Sequence, residues 1–339
     1  MTKLRYVPAI LLALVLSLGG CAGGRASGAG AASNLPSKVV IGTQDLADPE
    51  GIARAEGWLT DAFGVPVDIV PFDAGRDVNT AIASGSIDFG ILGSVPAALA
   101  IASGVPVKVI YVQSVLGSVE SLVVNKGLGI TDAQGLVGKK IATTFSSTSH
   151  FSLLQYLKYN NIDPASVDII DMNASAIVAA FTRGDIDGAF TWEPNVTQML
   201  NQGGVALTSA KEVAQLGSPT MDVEIVRSDF ASKYPDLVKE YVAVMDRCVQ
   251  LYENDPQAAG TSLAQTLGLT APDVLAQVAG STWLPVSVQK GAEWFGSSAL
   301  ADVMLSTSQF LYEQGQVSSE PTTAMFASAV DGQYLTPVS

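Results

Sequence analysis

Cysteine, histidine and basic residues are all scarce in this chain. Its 339 residues hold two cysteines and one histidine, and 18 Lys and Arg stand against 32 Asp and Glu. Cys21 and Cys248 cannot build a disulfide framework or a cysteine-rich zinc site. The single imidazole, His150, rules out an HExxH metal pair, and the serines beside it do not by themselves complete a catalytic triad. There is no P-loop and no GxGxxG opening a helix, so neither a metal nor a cofactor is expected. An enzyme would have to work through carboxylates alone, and no motif calls for one. The formal charge of -14, with no basic stripe, excludes nucleic acid and anionic membrane surfaces as partners. What is present, 48% hydrophobic residues with only 15% charged, is the composition of a globular chain long enough for two lobes.

The first residues read as an export signal. Lys3 and Arg5 precede an apolar run over 8–18, followed by Gly19-Gly20-Cys21. The run falls short of the ~20 apolar residues that a spanning helix needs. Its ending resembles the bacterial lipobox, in which the cysteine is diacylated and becomes the mature N-terminus. The alternative is an ordinary secretion signal with a cysteine near the cut. A signal over 1–20 is followed by a Gly/Ala/Ser tether over 21–37. With Cys21 lipidated, Cys248 is left alone on a helical pattern, where a small buried hydrophobe is the expected role.

Beyond the tether, strands alternate with helices, which implies an α/β fold with a mostly parallel sheet flanked by helices in each lobe. Strand candidates at 38–43, 67–72, 87–92, 107–114 and 121–126 are followed by a second set at 139–144, 167–172, 186–191 and 204–209. The plan repeats down to single residues: Gly85-Ser86-Ile87-Asp88 corresponds to Gly184-Asp185-Ile186-Asp187. Helical patterns follow over 50–63, 149–160, 235–254, 256–267, 271–279 and 288–313. Two α/β lobes place the default ligand site in the cleft between them.

One corner stands out. TTFSSTSHFSLLQYLK (143–158) puts Ser146, Ser147, Thr148, Ser149 and His150 between a strand and a helix. Ser149 is a good N-cap for the Phe151/Leu154/Leu157 stripe. One hydroxyl suffices for a cap, so the surplus fits an anion held at a helix N-terminus. His150 is equally consistent with donating to that anion and with local packing. In the first lobe, Gly93-Ser94 holds the equivalent place, with Ser94 either a cap or a cleft donor.

The plan resembles the two-lobed, two-crossover (type II) periplasmic binding proteins of ABC importers, and most closely their taurine- and aliphatic-sulfonate-binding branch. The stretches that carry the resemblance are 72–126, TTFSSTSHFSLLQYLK, AIVAAFTRGDIDGAFTWEP (176–194) and 217–239. The hydroxyl run with His150 and the Trp-x-Pro element are its more specific parts. It implies lobe one over 38–122 and 226–339, lobe two over 127–220, and crossovers near 122–126 and 221–226. It further implies a monomeric receptor, anchored outside the cytoplasm, that captures a taurine-like sulfonate and delivers it to a permease. Trp192, otherwise either core or cleft wall, becomes the wall. The ammonium of a zwitterion needs an acid, for which Glu120 and Asp222 are candidates. Gln44 is a further contact in a first loop that matches only loosely. Val95 stands where the family has a second hydroxyl, and Glu193 where it has a small apolar residue. Another small anion, an alkanesulfonate, and an enzyme of the same fold acting on a cofactor precursor remain as alternatives.

Overall fold

Val- and Ile-rich runs bounded by glycine and polar turns become strands. The computed structural model of the protein describes residues 35–335 and places eleven strands there, in two sheets. In chain order they are β1 (Val39–Thr43), β2 (Val67–Pro71), β3 (Phe89–Gly93), β4 (Val107–Leu116), β5 (Glu120–Asn125), β6 (Lys140–Thr143), β7 (Asp168–Asp171), β8 (Gly188–Trp192), β9 (Gly204–Ser209), β10 (Met221–Arg227) and β11 (Ser281–Trp283). The expected signal, Cys21, the tether as far as Asn34 and the last four residues lie outside the described residues.

The first sheet has the order β11-β4-β10-β3-β1-β2 and the second β7-β6-β8-β5-β9. Both are mixed. β1 lies parallel between β2 and β3, as β6 lies parallel between β7 and β8. In each sheet one strand is inserted antiparallel: β10 between β3 and β4, and β5 between β8 and β9. Each inserted strand is the first to arrive from the other lobe, so the chain crosses twice. The crossovers sit earlier than the sequence suggested. β4 ends at Leu116 and β5 already belongs to the second sheet, so the first crossing is 117–119 rather than 122–126. β10 lies wholly in the first sheet, so the second crossing is 216–220 rather than 221–226. Only Gly117, Ser118 and Val119 separate β4 from β5, so little in the sequence marks the change of sheet.

The duplicated motif has a structural reason in both lobes. Gly85 (φ 73°) and Gly184 (φ 76°) occupy the left-handed region just past their helices, where a Cβ is strained. Asp88 Oδ2 accepts from the Val40 N–H at 2.9 Å, and Asp187 Oδ2 accepts from the Lys140 N–H at 2.8 Å. Each aspartate thereby ties β3 or β8 to the start of its central neighbour. A hydrogen bond to a charged acceptor contributes about 1.5–3 kcal/mol.

Helices cover both faces of each sheet. The pattern over 50–63 breaks at Gly57 into Pro49–Glu56 and Trp58–Phe63, and the one over 288–313 resolves into Val286–Gln289 and Ala299–Glu313. The Pro235–Asn254 helix buries Leu237, Tyr241, Met245 and Cys248 against the first sheet, which gives Cys248 the packing role expected of it. Phe151 belongs to a helix that follows the second sheet, yet it packs into the first lobe's core and meets Phe310 edge-on at 5.6 Å between centroids.

Candidate functional site

At the carboxyl ends of the parallel strands, four helices bring their N-termini to one cavity between the lobes: Pro49–Glu56, Gly75–Ala83, Ser94–Ala102 and Thr148–Tyr159. Each leaves backbone N–H groups without helical partners and a partial positive charge. The space open to the centre of a water molecule is about 50 Å³. One water needs roughly 10–15 Å³ on that measure, so the cavity suits a molecule a few heavy atoms across. Across its mouth Arg76 donates to both oxygens of Asp171 at 3.0 and 3.1 Å and to Asn173 Oδ1 at 2.5 Å, holding the lobes together.

Six of the residues singled out from sequence line this cavity: Gln44, Glu120, Ser147, Thr148, Trp192 and Asp222. Ser147, not Ser149, caps the helix: its Oγ accepts from the His150 N–H at 3.1 Å, and its own proton stays available. Thr148 donates to Glu120 Oε1 at 2.5 Å. Opposite it, a Cβ at Gly93 would meet Thr148 Cγ2 at 2.6 Å, so the lobes approach this closely only because the residue is glycine. Glu120 is the register partner of Trp192 across β5 and β8, and both line the cavity. The Gln44 amide donates to the Ile91 carbonyl at 3.3 Å.

Three candidates lie off the cavity lining. Ser94 is buried, and its hydroxyl accepts from the Met221 N–H at 3.2 Å, fastening its helix to β10. Ser149 is fully buried in the first helical turn. His150 stacks on Phe145, with centroids 4.4 Å apart and planes 11° apart, and its Nδ1 accepts from the Ser146 N–H at 3.4 Å. Ser146 has φ 64°, a conformation disfavoured for serine, and the histidine holds it there. Burial pushes the His150 pKa down to about 4 against the pull of Asp171, so the ring is neutral and steadies the corner.

The cavity lining has no Lys, Arg or His but four acids: Asp48, Glu120, Glu193 and Asp222. Burial pushes Glu120 up to about 8 and Asp222 to about 7, and Asp48 well above the usual carboxylate range. Behind them Glu50 and Glu224 are buried too, held by Thr43, Gln113 and Tyr241. The carboxylate of Glu193 is spent on the Thr197 N–H and hydroxyl, at 3.0 and 2.8 Å. Asp48, Ser114, Gln277 and Ser281 line the site without having been singled out. Gln277 and Ser281 arrive from the C-terminal section, far along the chain from the first crossover, and no local pattern marks them. Asp48 had a signal: an Asp-Pro helix start after the first strand, at the point of the repeat that matches the hydroxyl corner.

With this geometry in view, a sequence profile described as NMT1/THI5 like matches residues 49–259. The taurine-binding periplasmic protein of Escherichia coli (strain K12) is 40% identical over 285 residues, covering 82% of this chain and 87% of that protein. The chain belongs to this family of periplasmic solute-binding proteins, in its taurine- and aliphatic-sulfonate-binding branch. The alkanesulfonate-binding protein SsuA from Xanthomonas axonopodis pv. citri, solved bound to MOPS, superposes with a TM-score of 0.74 at 22% identity, over 88% of this chain and 99% of that one. The periplasmic aliphatic sulphonate binding protein SsuA from Escherichia coli gives 0.72 at 22% identity, over 87% and 97%. These two likenesses establish the fold: paired mixed sheets joined by two crossovers. The relatives named here are binding proteins rather than enzymes.

Proposed function

We propose that the protein captures taurine or a closely related aminosulfonate in the interlobe cleft and hands it to the permease of an ABC importer, held at the membrane by lipid on Cys21. One observation carries the ligand reading: neutral donors at helix N-termini and buried acids line the same cavity. Helix N-termini and the Ser147 hydroxyl offer neutral donors suited to a sulfonate. Buried Glu120 and Asp222, with no basic side chain lining the cavity, offer acceptors suited to an ammonium, and Trp192 adds a face for the same charge. An alkanesulfonate brings no cation, so those acids would stay protonated beside it and add no charge-assisted contact. The ligand would act by binding the closed arrangement of the lobes more tightly than the open one. Calorimetry with taurine, isethionate, ethanesulfonate, nitrate and β-alanine tests this. Taurine is expected to bind tightest, and no heat with any sulfonate removes the ligand assignment. Asp222→Asn is expected to weaken taurine about tenfold or more while leaving ethanesulfonate within a factor of about three. Equal loss for both would argue against the ammonium role.

A further inference from the structure

We propose that Asp48 is a ligand-contacting specificity residue: with Glu120 and Asp222 it completes a set of three carboxylates for the three N–H donors of a primary ammonium. This rests on the aminosulfonate reading of the cleft and narrows it to unsubstituted amines.

The case begins with an oxygen that the fold does not use. Asp48 caps the Pro49–Glu56 helix through Oδ1, which accepts from the Gly51 N–H at 2.8 Å. Capping needs only one oxygen, and serine or asparagine would cap as well. Yet Asp48 is 4% exposed, lines the cavity, and its Oδ2 is buried without a hydrogen-bond partner. A second buried carboxylate oxygen with nothing to accept is a penalty that the cap does not explain. Glu120 Oε2, on the same cavity, also lacks a well-formed hydrogen bond, although the Ser149 hydroxyl lies close enough to favour its charged form. Asp222 receives only the Ser114 hydroxyl, at 3.4 Å. The fourth acid on the lining, Glu193, has both oxygens committed to Thr197 and drops out.

An ammonium carries three donors and no acceptor. Three carboxylates around it leave no N–H unpaired, and each methyl group on the nitrogen removes one donor. The site therefore discriminates by degree of N-substitution as well as by charge, a distinction that two carboxylates alone would make less sharply.

The test compares the wild-type protein with Asp48→Asn and Asp48→Ser, both of which keep a cap oxygen. Calorimetry at pH 8 reads taurine, N-methyltaurine, N,N-dimethyltaurine and isethionate, and melting of the ligand-free proteins reports folding. Asp48→Asn is expected to weaken taurine about 10- to 100-fold and isethionate by less than about threefold, and to narrow the gap between taurine and N-methyltaurine. Unchanged taurine affinity overturns the proposal, as does equal loss for taurine and isethionate, which would mark Asp48 as a cap only. If the wild-type protein binds no aminosulfonate, the underlying reading fails with it. If the wild type binds taurine and both variants match it, Asp48 alone is excluded.

Discussion

The corner after β1 and the corner after β6 occupy the same place in their respective lobes, and both reach the cavity. Each is capped by its own last residue onto the N–H three positions on: Asp48 onto Gly51 at 2.8 Å, Ser147 onto His150 at 3.1 Å. The scaffold asks for one acceptor at this position, and either side chain supplies it. What differs is the atom left over. Asp48 leaves a carboxylate oxygen and Ser147 leaves a hydroxyl proton, which under the proposed function would serve the ammonium and the sulfonate respectively.

The comparison breaks most sharply with Ser147→Asp. The variant keeps its cap, so the ligand-free melting temperature is expected to hold. A negative charge at the donor end is expected to weaken taurine and isethionate alike by about 100-fold or more, since charge-assisted contacts contribute about 1.5–3 kcal/mol and here reverse sign. Calorimetry showing both ligands within tenfold of wild type would move the sulfonate elsewhere. Next in size is Gly93→Val, at a close approach of the lobes where even a Cβ would lie 2.6 Å from Thr148. Overpacking costs about 1–3 kcal/mol, so every ligand is expected to weaken by about tenfold without change of selectivity, and the ligand-induced compaction seen by small-angle scattering is expected to shrink.

The smallest effect separates the two ends by pH. Glu120 and Asp222 have folded values of about 8 and about 7, above their ordinary 4.5 and 3.8. The ligand-free folded protein therefore holds protons that the unfolded chain releases. This contribution is full below about pH 4 and is lost as pH rises through 7 to 8, so the ligand-free melting temperature is expected to fall over that range. An ammonium requires the ionised acids, so taurine affinity is expected to rise several-fold per pH unit between pH 6 and 8, at most about tenfold per proton released. Isethionate is expected to stay flat. Parallel profiles for the two ligands would detach the acids from the ligand.

Much of this was readable in the chain itself, for physical reasons. The Gly-x-Ile-Asp repeats report a left-handed turn and a strand tie, both local, and they expose the duplication. The hydroxyl run reports a helix mouth. The roles within it were not readable: the cap falls to Ser147 because Ser146 turns left-handed, and that turn depends on His150 stacking against Phe145. The crossovers were misplaced because a β-branched run looks the same whichever sheet it joins. Gln277 and Ser281 were invisible because their place depends on the Ala271–Val278 helix and on β11, a three-residue strand set against β4. Asp48 was overlooked because an Asp-Pro helix start is sufficient explanation for itself until its second oxygen is found unpartnered.

The most direct test is a crystal structure of the protein grown with taurine. The sulfonate is expected at the Ser147–Thr148 helix mouth facing Gly93, and the ammonium within hydrogen-bond reach of Glu120, Asp222 and Asp48. A ligand bound in the reverse orientation, or with its nitrogen away from all three acids, would contradict the account.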